Sequence, residues 1–213
     1  MIRALMVAAC LSPALPGMAQ ADDIAGEFDY YVMALSWSPN WCEMEGDGRN
    51  SPQCVAGTGF GWVLHGLWPQ YETGWPERCR TRFSEPSRGQ TQAMADIMGT
   101  SGLAWYQWNK HGVCAGVSPA DYYALAREAF GRVEKPQVFM ALERTVALPA
   151  AVVEEAFLRD NPEVTADGLT VTCRGGMIQE VRVCLTRDLE FRDCGADVRR
   201  DCTLEDALFE PVR

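Results

Sequence analysis

Two histidines occur in the 213-residue chain, and each sits in a short word of unusual residues. His65 lies in Leu64-His65-Gly66-Leu67-Trp68-Pro69-Gln70, and His111 in Trp108-Asn109-Lys110-His111-Gly112-Val113-Cys114. Imidazole can take and give a proton near neutral pH. Two imidazoles on opposite sides of one phosphorus can serve as general base and general acid in phosphodiester transfer without a metal. Lys110 stands next to His111 in the second word. Each residue also has a plain structural reading: a satisfied core or surface histidine, and a solvated lysine at a helix end. A metal-dependent hydrolase is the rival chemistry. It is disfavoured because no Cys-x-x-Cys pair occurs and no carboxylate stands at ligand spacing from either histidine.

The elements that must position these words can be read from pattern. Residues 28–35 are aromatic and aliphatic and predict a buried strand, and residues 61–64 predict a short strand that delivers His65. Residues 36–60 and 71–89 are rich in Gly and Pro and predict loops. Short helices are predicted over 91–98 and 103–110. The second is stopped by Gly112, which would place Lys110 and His111 near a helix C-terminus, where the partial negative charge favours a protonated imidazole. Ser118-Pro119-Ala120-Asp121 is a helix start, with an N-cap, Pro at the first position and an acid at the third. Tyr122, Leu125, Ala126, Ala129, Phe130 and Val133 follow at helical spacing. Pro149 opens another helix, to about Asp160. Residues 169–173 and 177–185 predict a hairpin across Arg174-Gly175-Gly176, with 181, 183 and 185 facing the core and 182 and 184 on a wet face. Strands at both ends with helices between predict an α+β fold, a central antiparallel sheet with several packed helices.

Composition narrows the setting. Residues 1–21 read as a signal peptide, with Arg3, an apolar stretch over 4–11 and a cleavage site at Ala19-Gln20-Ala21, so residues 22–213 are the expected mature domain. The apolar run is too short to span a bilayer. Val7-Ala8-Ala9-Cys10 offers the alternative of a lipoprotein anchor. Nine cysteines less Cys10 leave an even set, which predicts a disulfide framework in an oxidising compartment. The net charge of −10 excludes a protein that grips nucleic acid through a broad basic face. It leaves room for local recognition by stacking on one or two nucleotides.

The two histidine words resemble the paired active-site segments of the ribonuclease T2 family. His65-Gly66-Leu67-Trp68-Pro69 matches the first segment in full, and Trp108-x-Lys110-His111-Gly112-x-Cys114 the second. Tyr30 to Pro39, with Leu35-Ser36-Trp37-Ser38-Pro39, resembles the family's first strand, and Glu180-Val181-Arg182-Val183-Cys184 its late strand. The resemblance implies a secreted or periplasmic endoribonuclease acting on single-stranded RNA, with a 2′,3′-cyclic phosphate product, no cofactor, no metal and no cleavage of DNA. A monomer is expected. His65 and His111 would be the acid–base pair, in an order left open, with Lys110 as the electrostatic stabiliser. Trp68 is either a base-stacking platform or core, and Gln70 either a base contact or a turn residue. Trp108 is expected to pack, and Gly66 and Gly112 to serve a positive φ or a close approach of the phosphate.

The chain departs from the family pattern at Tyr106-Gln107, where His-Glu is usual. Gln107 can still donate to a phosphoryl oxygen and Tyr106 can offer its hydroxyl. Loss of the carboxyl implies weaker catalysis or a less acidic pH optimum, and the alternative of a catalytically weakened nucleotide-binding protein stays open. The family's cysteine pattern implies the pairs Cys42–Cys54, Cys79–Cys114, Cys173–Cys202 and Cys184–Cys194.

Overall fold

A computed structural model describes residues 23–213, so the leader, Cys10 and Asp22 lie outside the described residues. The fold is α+β. Strand β1 (Tyr30–Trp37) is flanked antiparallel by β2 (Trp62–Gln70) and by β5 (Met177–Leu185). Strand β4 (Leu169–Arg174) joins β5 through a tight turn in which Gly175 and Gly176 take φ of +59° and +80°. Only glycine enters that region without strain. At the far end, β3 (Val146–Leu148) pairs antiparallel with β6 (Ala207–Phe209). A single parallel contact, Met177 with Leu208, joins β6 to β5, so the sheet is mixed at this edge.

The first strand begins and ends two residues later than the pattern predicts, and the second runs on well past residue 64 through His65 itself. Pro69 is tolerated in β2 because this strand is an edge of the sheet, where a missing N–H breaks no ladder bond.

Helix α1 (Ser38–Trp41) follows β1 directly. The single helix predicted over 91–98 is two, α2 (Arg88–Gln92) and α3 (Ala95–Met98). A reciprocal cap starts the first: Gln90 N–H donates to Ser87 Oγ while Ser87 N–H donates to Gln90 Oε1. Helix α4 (Ser101–Lys110) starts earlier than predicted, because Thr100 Oγ1 accepts from Leu103 N–H at 3.1 Å. Helix α5 (Pro119–Arg132) is capped by Ser118 as its sequence requires, and buries Tyr122, Ala126 and Ala129. Helix α6 (Ala150–Asp160) buries Val153, Ala156 and Phe157.

The core fills one face of the sheet, where Trp37, Trp62, Phe139, Phe157 and Phe209 interlock. The other face of β5 is not wet as predicted. Cys184 and Glu180 are buried there, beside a small second cluster of Tyr30, Val32, Cys194 and Val198. Disulfides join Cys42 to Cys54, Cys79 to Cys114, Cys173 to Cys202 and Cys184 to Cys194.

Candidate active site

His65 owes its position to a β-bulge. Ala34 on β1 faces Gly66 and the next residue, Leu35, faces Leu64, so His65 is the extra residue on β2. A bulge interrupts the ladder and re-aims one side chain. Leu64 and Leu67 stay in the core while the His65 ring stands in a cleft on the sheet's second face. Gly66 has an ordinary φ. Its need is space, because a Cβ there would lie 2.2 Å from Trp68 Nε1 and 2.4 Å from Gln107 Oε1. The close approach is by two side chains of the site.

His111 is the C-cap of α4. Trp108, one turn earlier, is buried edge-on against Tyr122 of α5, and Tyr122 Oη donates to the Leu67 carbonyl on β2. This anchors the helix end against the strand that carries His65. Gly112 also has no positive φ; a Cβ would lie 2.7 Å from the Trp108 ring and 2.9 Å from Tyr122. Arg78 N–H donates to the Lys110 carbonyl at 2.8 Å, and Cys79, the next residue, is bonded to Cys114. The loop after β2 is thereby fastened to the second histidine word.

The two imidazoles meet around Trp68. Its ring centroid is 5.3 Å from that of His65, edge-on, and 5.3 Å from that of His111, tilted by 34°. The indole N–H donates to Gln107 Oε1 at 2.7 Å, and the Arg182 guanidinium lies 5.5 Å from the ring. Trp68 is half-buried, a wedge against both imidazoles as well as a cleft wall.

The electrostatic settings of the two histidines differ. His111 is 6% exposed, and Nδ1 has no hydrogen-bond partner among the described residues. Burial, followed by the positive charge of Lys110 and then of His65 and Arg78, pushes its pKa down to about 3. This overturns the expectation of a protonated imidazole at the helix end: desolvation and like charge outweigh the helix dipole.

His65 has a carboxylate partner that its sequence neighbourhood does not contain. Nδ1 is 2.5 Å from Oε1 of Glu180 on β5. A carboxylate only accepts, so Nδ1 carries the hydrogen and Nε2 is left for the cleft. Glu180 is 2% exposed, and its Oε2 accepts from Arg182 Nε at 2.9 Å and Nη2 at 2.8 Å. Burial alone would raise the carboxyl pKa; the hydrogen bond and charge of His65, with Arg182, override it and hold the pKa at about 2.

One cleft of about 360 Å³ is lined by His65, Trp68, Gln70, Tyr106, Gln107, Lys110 and His111, all seven residues singled out in the sequence. Gln107 and Gln70 are buried in its floor, Tyr106 is exposed on its wall, and Lys110 Nζ sits 3.6 Å from Glu77. Glu180, Arg182, Trp75 and Asp197 are also in the lining and escaped sequence reasoning. Their signals were a Glu and an Arg in the polar phase of a buried strand, and a Trp in a loop of Gly and Pro. A second, larger hollow of about 730 Å³ adjoins the first, sharing His65, Tyr106, Gln179 and Glu180. Both imidazoles, Lys110 and the Gln107 amide therefore line one cleft.

The model of the Ribonuclease T2 family matches residues 28–194. A ribonuclease of Aeromonas hydrophila is 39% identical over 212 residues, covering 95% of each chain. Ribonuclease I of Escherichia coli is 25% identical over 206 residues, covering 76% of this chain and 77% of that one. Among solved structures, an RNase-related protein from Calystegia sepium superposes with a TM-score of 0.66 at 17% identity, covering 87% of this chain and 98% of its own, a likeness of fold.

Proposed function

Because this chain belongs to the ribonuclease T2 family, it is an endoribonuclease, and we propose that it cleaves single-stranded RNA without a metal, His111 acting as general base and His65 as general acid. His111, neutral across the working range, takes the proton of the ribose 2′-OH. The freed oxygen attacks the adjacent phosphorus and the P–O5′ bond breaks. His65 Nε2 gives its proton to the departing 5′-oxygen, leaving a 2′,3′-cyclic phosphate. Lys110 offsets charge on the non-bridging oxygens, and the amide nitrogen of Gln107, whose oxygen is held by Trp68, donates to one of them. The single observation that carries this reading is that both imidazoles contact one indole ring from inside one cleft.

The nucleophile is the 2′-OH, so DNA is not a substrate. With a net charge of −10, binding rests on local contacts and on the exposed Trp75 and Tyr106 as stacking surfaces. The domain works as a monomer. Four disulfides fit an exported protein, secreted or periplasmic, since such bonds do not persist in a reducing cytosol.

The test is incubation of the protein with RNA in EDTA, followed by analysis of the ends. Cyclic phosphate ends, lost in His65→Ala and in His111→Ala, are expected. Inhibition by EDTA, or undiminished cleavage by either variant, would overturn the proposal.

A further inference from the structure

We propose that Glu180 is a positioning residue that makes His65 an acid, and that Arg182 locks Glu180 in that task. This rests on the function proposed above. Three observations lead to it. The carboxylate is almost wholly buried, one oxygen is on His65 Nδ1, and the other is on two nitrogens of Arg182. Glu180 faces Ser36 on β1 and Thr172 on β4, so rigid sheet holds it from both sides. Arg182 is fixed in turn by the Trp68 ring.

The chemistry follows from which atoms can carry protons. To deliver a proton from Nε2 and end as a stable neutral ring, His65 must start as an imidazolium. Its Nδ1–H stays on Glu180 throughout, the Nε2 proton goes to the 5′-oxygen as the P–O5′ bond breaks, and Glu180 remains an anion. A buried carboxylate at this distance balances the imidazolium and fixes the ring plane, the role an aspartate plays beside a catalytic histidine in serine proteases. Position 107 carries an amide in place of the usual carboxyl, and among the described residues Glu180 is the one carboxylate bonded to either imidazole.

Arg182 determines what happens when the charge is removed. Guanidinium only donates, so in Glu180→Gln the amide oxygen must turn to Arg182. The amide NH2 then faces His65 Nδ1, which can answer only with a lone pair. The ring is trapped neutral, its one hydrogen on Nε2.

The experiment compares wild type and Glu180→Gln on a dinucleotide and on a uridine 3′-aryl phosphate, whose phenolate leaves without a proton. The expected result is a drop in kcat of about tenfold to a hundredfold on the dinucleotide, with the aryl ester changed by less than about threefold. Equal loss on both substrates, or loss on neither, would overturn the inference. With two histidines in the chain, imidazole 15N spectra give a second readout: Nδ1 of His65 protonated in wild type and bare in the variant. A bare Nδ1 in wild type would also overturn it. Failure of wild type to cleave either substrate would refute the proposed function, while the spectra would still decide the tautomer. If Glu180→Gln does not fold, Glu180→Asp draws the carboxylate back and should show the same selectivity for the unactivated leaving group.

Discussion

The indole N–H of Trp68 on β2 and the amide oxygen of Gln107 on α4 are joined at 2.7 Å, directly over the backbone of Gly66. This one bond ties the strand bearing His65 to the helix bearing Lys110 and His111. It also defines how position 107 is used, since an amide oxygen turned to Trp68 leaves the amide nitrogen as the group that can face a phosphate.

Gln107→Glu should keep the Trp68 bond, because a carboxylate accepts as an amide oxygen does. It would add an anion one helical turn before His111, close to a ring now set among positive charges. The pKa of His111 should rise from about 3 by about 1 unit or more, and the acid limb of kcat should move up with it. A pH–rate profile beside an imidazole NMR titration checks both. An unmoved limb would show that His111 is not the titrating base.

Stability should depend on pH through His111. The unfolded chain protonates this ring near 6.5, while the folded chain does so near 3. Its contribution is therefore complete above 6.5 and is lost as the pH falls from there toward 3. Glu180 acts lower in the scale: with a folded pKa of about 2 against 4.5, its contribution is complete above 4.5 and is lost as the pH falls through 2. Between pH 7 and 4.5 the histidine slope amounts to about 2–3 kcal/mol, from about 1.4 kcal/mol per pH unit. Urea midpoints at the two pH values should show this loss in wild type and little of it in His111→Asn.

Gly66→Ala should damage fold and activity together. The added methyl carbon would meet the Trp68 nitrogen and the Gln107 oxygen well inside van der Waals contact, and neither is free to retreat without breaking their bond. Overpacking of this kind costs about 1–3 kcal/mol. Thermal unfolding should record the loss, and kcat should fall because the indole that spaces the imidazoles is displaced.

Lys110→Gln should lower kcat by roughly 10²–10³ with little change in KM, if the ammonium acts on charge that develops at the transition state. Trp75→Ala should do the opposite, raising KM by about tenfold through loss of one stacking surface at about 1–3 kcal/mol, with kcat nearly kept. Steady-state kinetics on one dinucleotide separates the two.

The sequence by itself determined what rests on near neighbours. Ser118 to Asp121 carries the start of α5 in its own side chains, and Gly175-Gly176 carries the hairpin turn. The two histidine words, with Tyr106 and Gln107 just ahead of the second, named all seven cleft residues first considered. Tertiary structure decided what depends on groups far along the chain. The bulge at His65 exists only in the pairing of β2 with β1, where Ala34 and Leu35 face Gly66 and Leu64. Glu180 reaches His65 from 115 positions away, and alternation alone placed its face of the strand in water. The charge state of His111 is decided the same way: a helix end is visible in sequence, but desolvation and the fields of Lys110, His65 and Arg78 sum over everything packed around the ring.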